Sequence, residues 1–163
     1  MPTCFRMGTI LAAMSLGLAL AQPAAGQEPD AVGTLQVRAR LEASCSVTLQ
    51  DLDFGEYRAA SASQVKTVIE VRCTPGVRFN VALDGGGAGD ADLRRMTGAG
   101  ELSYQLYVDA SHRRIFGDAT GGETVSMEAN GKWQRVNVYG SVPKGQSPPP
   151  GGFYDTVTMT LTY

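Results

Sequence analysis

Between residues 35 and 49, in LQVRARLEASCSVTL, the odd positions carry Leu35, Val37, Ala39, Leu41, Ala43, Cys45, Val47 and Leu49, and every even position is polar or charged. Side chains of an extended chain alternate between its two faces, so this pattern predicts a half-buried β-ribbon. At about 3.3 Å per residue the ribbon would run roughly 50 Å. Strands in globular proteins stop at about 3 to 10 residues, and a domain of about 140 residues is only about 35 to 40 Å across. The segment is therefore expected either to break or to leave the molecule.

Period two recurs in TVIEVRC (67–73), VRFNVAL (77–83), LSYQLYV (102–108), QRVNVYGSV (134–142) and YDTVTMTLTY (154–163), all rich in β-branched and aromatic residues. Glycine and proline separate them in TPG, DGGGAGD, TGAG, GGE, NG and PKGQSPPPGG. Short strands with turn signals and no sustained helical period predict an all-β sandwich or barrel. In the last segment Val157, Met159 and Leu161 share one face and Thr156, Thr158, Thr160 and Thr162 the other, with Tyr163 last. This strand is expected to end the protein with nothing after it to cover its far side.

The N-terminus changes the picture of where the chain works. Arg6 precedes the apolar run ILAAMSLGLALA (10–21), too short for a bilayer and followed by small-residue sites. Residues 1–26 read as a secretory signal peptide, cleaved after Ala21 or Gly26, and no other stretch could span a membrane. Cleavage removes Cys4 and leaves Cys45 and Cys73, which in an oxidising compartment are expected to form one disulfide. A metal site would need more soft ligands than two thiols and one histidine. Removing Arg6 from the 14 basic residues leaves 13 against 16 acidic ones, a balance that gives nucleic acid no basic stripe to bind.

Catalytic chemistry finds little to build on. A nucleophile–base–acid triad would have to use His112, the single histidine, which lies in the polar stretch DASHRRIFGD and is expected to be a solvated loop residue. The glycines of LDGGGAGDAD are followed by no Lys-Ser/Thr pair, so phosphate-loop chemistry is missing and a loop or hairpin is expected. Asp84, Asp90 and Asp92 do not have the spacing of a calcium loop. Trp133 is expected in the core, and Pro148, Pro149 and Pro150 in a stiff loop. No catalytic residue, cofactor or metal ligand is assigned.

Taken in order, ASCSV, LDFGEY, VIEVRCTPG, VALDGG, LSYQLYVDASHRRIFGD and VNVYGSVPKGQSPPPGGFYDTVTMTLTY resemble the spore coat protein U family, the pilin subunits of archaic chaperone–usher pili. The resemblance covers essentially the whole exported chain. Its most specific parts are the closing block and the central Leu-Tyr-x-Asp followed by Gly-Asp; Phe116 stands where members often have Trp before that Gly-Asp.

The resemblance implies an incomplete immunoglobulin-like β-sandwich that lacks its final strand. A periplasmic chaperone would fill the resulting groove first. The N-terminal extension of the next subunit would then replace it at an outer-membrane usher, giving a polymer of identical or related subunits at the cell surface. Leu35, Val37, Ala39 and Leu41 match the donor positions, while Cys45 and Val47 match the subunit's own first strand. Val157, Met159, Leu161 and Tyr163 match the groove-edge, chaperone-facing strand. The long alternation is thereby divided near Ala43 and Ser44, with 27–43 the extension and 44–163 the pilin sandwich. Burying two Leu, one Val and one Ala would contribute about 5 to 8 kcal/mol before backbone hydrogen bonds.

Two other readings use the same residues. One is a spore-coat or matrix structural protein of this fold. The other is a monomeric carbohydrate-binding sandwich, which an exposed aromatic cluster of Tyr104, Tyr107 and Trp133 would favour. An exported enzyme lacks a second histidine or a convincing carboxylate pair.

Overall fold

The computed structural model describes residues 31–118 and 120–163, so the expected signal peptide lies outside the described residues. Arg40–Tyr163 forms the folded body, and the chain up to Ala39 is a separate unit. In chain order the strands are β1 Cys45–Thr48, β2 Ser63–Cys73, β3 Arg78–Leu83, β4 Arg95–Gly98, β5 Glu101–Ser103, β6 Gln105–Tyr107, β7 Val125–Glu128, β8 Gln134–Val142, β9 Phe153–Tyr154 and β10 Met159–Thr162. Apart from one short 3-10 turn at Gly86–Ala88, the described residues form an all-β body.

Three antiparallel sheets result. One is ordered β1-β2-β8-β6, a second β10-β3-β7 and a third β5-β4-β9. The alternation of β2 puts Ile69, Val71 and Cys73 in the interior, and that of β8 does the same for Val136, Val138 and Val142. From the second sheet Phe79, Val81 and Leu83 face them, and Met96 and Leu102 of the third close the end of the same core. The immunoglobulin-like sandwich expected from the sequence is thus formed from strands that each bury one face.

Within this body, Arg94 is almost completely buried. Its guanidinium donates to the carbonyls of Leu83, Asp84, Ala91 and Phe116 and to Oε1 of Gln105, tying four segments together. Burial pushes the guanidinium below its ordinary range, and Tyr104, Asp84 and Asp155 act against that shift.

Several expectations are corrected. The segment 102–108 is two strands: β5 pairs with β4, and after Tyr104, whose N–H donates to Arg94 O, β6 pairs with β8. The segment 154–163 divides likewise into β9 on β4 and β10 on β3. Strands β4 and β7 were not expected. Trp133 is 44% exposed and stacks under Arg72 at 4.9 Å, so it is a surface residue. His112 is half-buried with φ 52°, packed edge-on against Tyr107 and Tyr139, and so is not a solvated side chain.

The opening alternation breaks where the chain meets the sheet. Residues 31–44 lie in no strand, and Leu35, Val37 and Leu41 are 86, 84 and 87% exposed. Strand β1 covers only Cys45–Thr48, in register with β2 so that Cys45 opposes Cys73, and the two are joined in a disulfide.

Candidate functional site

After β1 the chain continues beside β2 as Leu49–Tyr57. Thr67 Oγ1 donates to Gln50 O at 3.1 Å and Ser63 Oγ to Phe54 O at 2.9 Å, which holds the segment along the sheet. Leu52 and Phe54, at alternate positions, and Tyr57 three residues on, turn inward and pack on the core. Gly140 of β8 makes this possible. A Cβ there would stand 2.9 Å from Phe54 Cζ and 3.0 Å from both Leu52 methyls, so a larger residue would make those two side chains shift.

Across from that segment runs Phe153–Met159. Between the two lies a groove of about 1280 Å³ whose floor is the core itself: Ile69, Leu83, Met96, Leu102, Tyr104, Leu106 and Val138. Strand β10 pairs with β3 on one side and β1 with β2 on one side; among the described residues neither has a strand on its other edge. An apolar groove beside an edge strand can accept an added strand, which pairs free backbone groups of the edge and covers half-buried side chains. Val157, Met159 and Leu161 are half-buried and the intervening threonines exposed, as the sequence alternation required.

The rim is fixed by two carboxylates. Tyr104 Oη donates to Asp155 Oδ2 at 2.7 Å, and Asp155 Oδ1 accepts from the N–H of Gly87 and Thr156, each at 2.8 Å. Burial pushes the Tyr104 phenol well above its usual range, and the bond to Asp155 adds to this. Gly86 has φ 60°, and a Cβ there would meet Asp155 Oδ2 at 2.2 Å, so glycine is needed at this turn. Asp84 accepts from the N–H of Gly86 at 2.9 Å and of Thr158 at 2.8 Å. Burial raises the Asp84 carboxyl, but those N–H groups and Arg94 outweigh it and hold it below the ordinary carboxylate range.

Among the residues singled out from the sequence, Val157 and Met159 lie at the groove. Tyr104 is buried on its floor beside Phe54, Tyr107 packs on His112, and Trp133 on Arg72, so the three aromatics have three different partners. Asp84 and Asp90 accept from backbone N–H groups of their own turns. Sequence reasoning missed the Leu49–Tyr57 wall as part of a site, although the alternation of Leu52 and Phe54 in DLDFGEY signals it. It also missed the Asp155–Tyr104 clamp, which no local pattern announces.

The body is an immunoglobulin-like β-sandwich with a groove of apolar floor along one side. The model of the Spore Coat Protein U domain matches residues 31–160, and the chain belongs to that family. Protein U of Myxococcus xanthus is 29% identical over 175 residues, covering 95% of this chain and 97% of that one.

Among solved structures, the P pilus rod subunit PapA matches with TM-score 0.55 and 19% identity over 73% of this chain and 98% of that one. A chain of the CsuC–CsuE chaperone–tip adhesion subunit pre-assembly complex, from the archaic chaperone–usher Csu pili of Acinetobacter baumannii, matches with TM-score 0.52 and 21% identity. That match covers 74% of this chain and 40% of the other. A further chaperone–usher pilus structure matches with TM-score 0.53 and 16% identity over 85% of this chain and 99% of that one. At these identities the likeness is one of fold.

Proposed function

We propose that this chain is a structural subunit of a surface pilus, joined to its neighbours by donor-strand exchange. The reading rests on one observation: a groove with an apolar floor, walled by Leu49–Tyr57 and by the segment that leads into the edge strand β10, occurs in the same chain as an exposed, strand-less N-terminal segment with strict alternation. Leu35, Val37, Ala39 and Leu41 would enter the groove of another copy. Main-chain hydrogen bonds would supply affinity, and alternate side chains would set register. Before assembly, a periplasmic chaperone would cover the groove against Val157, Met159, Leu161 and Tyr163, and an outer-membrane usher would exchange it for the next subunit. Export through the periplasm fits the signal-like N-terminus and the disulfide; among the described residues no helix is long and apolar enough to cross a membrane. The reading assigns the chain no catalysis.

Membership of the Spore Coat Protein U family favours a second use of the same joint, in a coat or matrix. Immunogold labelling separates the two, since extended fibres mark a pilus and an even surface layer marks a coat. The joint itself is tested by substitution. Val37→Asp would place a charge in the groove, and the unboiled denaturing-gel ladder of the secreted chain should disappear while the chaperone complex still forms. Loss of both products would mean that the segment serves its own fold.

A further inference from the structure

The two ends of the sandwich differ, and each is held rigidly. At the disulfide end, Val77 N donates to Thr74 O at 3.2 Å across a turn whose Gly76 has φ 79°, and Gly76 N donates to Ala129 O at 2.8 Å. A Cβ on Gly131 would stand 2.9 Å from Pro75 Cγ, so Pro75 lies directly on that glycine, with exposed Trp133 carrying Arg72 nearby in sequence. Strand β10 also ends here, because Thr162 pairs with Asn80 beside Arg78. At the opposite end Tyr57 Oη donates to Pro143 O at 2.8 Å, and Gln146 exchanges two hydrogen bonds with the Ser103 backbone at 2.8 and 2.9 Å. Pro149 packs toward Gly100, and Pro149 and Pro150 face solvent.

If assembly is by donor-strand exchange, on which this inference rests, strand direction decides which ends meet. Strand β10 runs from the proline end toward the disulfide end, and the extension leaves its own body at the disulfide end, before Cys45. A donor antiparallel to β10 therefore finishes at the proline end of its acceptor. Its body then presents its disulfide end to that proline end, a heterologous contact that repeats as a filament. A donor parallel to β10 would bring two disulfide ends together and close a two-fold dimer. Only Glu42, Ala43 and Ser44 separate Leu41 from Cys45. Four residue steps reach about 14 Å at most, so the two bodies are held close together.

We infer that the disulfide end, with Pro75 and Trp133 at its tip, seats on the Pro149–Pro150 loop of the copy whose groove its own extension fills. Stiff proline segments dock on aromatic surfaces, and two preordered ends lose little conformational freedom on meeting.

The full secreted chain tests this as Lys132→Cys, Pro149→Cys and the double variant, each assembled and treated with a short bismaleimide. The double variant should give a ladder that survives boiling, and neither single variant should. Covalent dimers from Lys132→Cys alone would overturn the assignment, because disulfide ends would then meet one another. An unboiled ladder that the double variant cannot make resistant to boiling would overturn the end-to-end contact and leave donor-strand exchange standing. Absence of any unboiled ladder would remove both. Trp133 is the single tryptophan, so its emission should shift to shorter wavelength in the polymer relative to the dissociated subunit; an unchanged spectrum would also overturn the contact.

Discussion

Tyr104, on the floor of the groove, reaches Asp155 at its rim, so a phenol and a carboxylate stand in otherwise apolar lining. Their 2.7 Å bond joins β5–β6 to the segment that leads into β10, and Asp155 passes the restraint on to Gly87. Tyr104→Phe should cost about 2 kcal/mol, the worth of a hydrogen bond to a charged group, as read by denaturant unfolding. Asp84 restrains the same rim from the other side. Its carboxyl lies below its ordinary 3.8 in the folded state. The hydroxyl of Ser111 and the N–H groups of Arg113 and Arg114 bring Asp109 to about 2. A depressed folded-state value contributes stability above the unfolded-state value and loses it as pH falls through the folded one. The thermal midpoint should therefore be flat from about pH 7 to 5 and fall below about pH 4. Asp84→Asn should make that fall shallower, and a midpoint that rises toward acid would contradict the assignment. Arg94, central to the same region, was not legible in the sequence, because an Arg-Arg pair is expected at the surface and only the converging carbonyls of separate segments and Gln105 allow its burial.

At the level of elements, period two was legible and strand partnership was not. The alternation through 102–108 and through 154–163 continues unbroken while the chain changes sheets, at Tyr104 and between Tyr154 and Met159. A side-chain period reports which face is buried and says nothing about which neighbour supplies the hydrogen bonds. The short strands β4 (RMTG) and β7 (VSME) carry too few residues for any period to register, and tertiary pairing makes them strands. The disulfide between β1 and β2 was legible from the cysteine count on the expectation that residues 1–26, with Cys4, are a signal peptide. It closes a separation of 28 residues. Replacing Cys45 and Cys73 together by serine should cost about 3 to 4 kcal/mol in the chain-entropy account, as read by chemical denaturation of the oxidised and variant chains. Because β1 is only four residues long and leads into the groove wall, the loss should also weaken acceptance of a donor.

In the proposed assembly the sandwich body takes a strand from a neighbour, and the exposed N-terminal segment supplies one in turn. An open apolar groove beside an unpaired edge is an aggregation hazard in any isolated subunit, and burial of a complementary strand removes both hazards at once. The alternation of residues 35–49 divides in the same way: its second part enters β1, and its first part has no strand partner among the described residues. The most direct measurement is thermal unfolding of the exported chain lacking residues 27–43, with and without a synthetic peptide of residues 33–43. Peptide at about a hundred times its dissociation constant should stabilise the truncated body by about 2.7 kcal/mol, a rise of about 10 °C in the midpoint, with a smaller rise for the Val37→Asp peptide. A truncated chain that is already as stable as the full one and indifferent to the peptide would contradict donor-strand assembly.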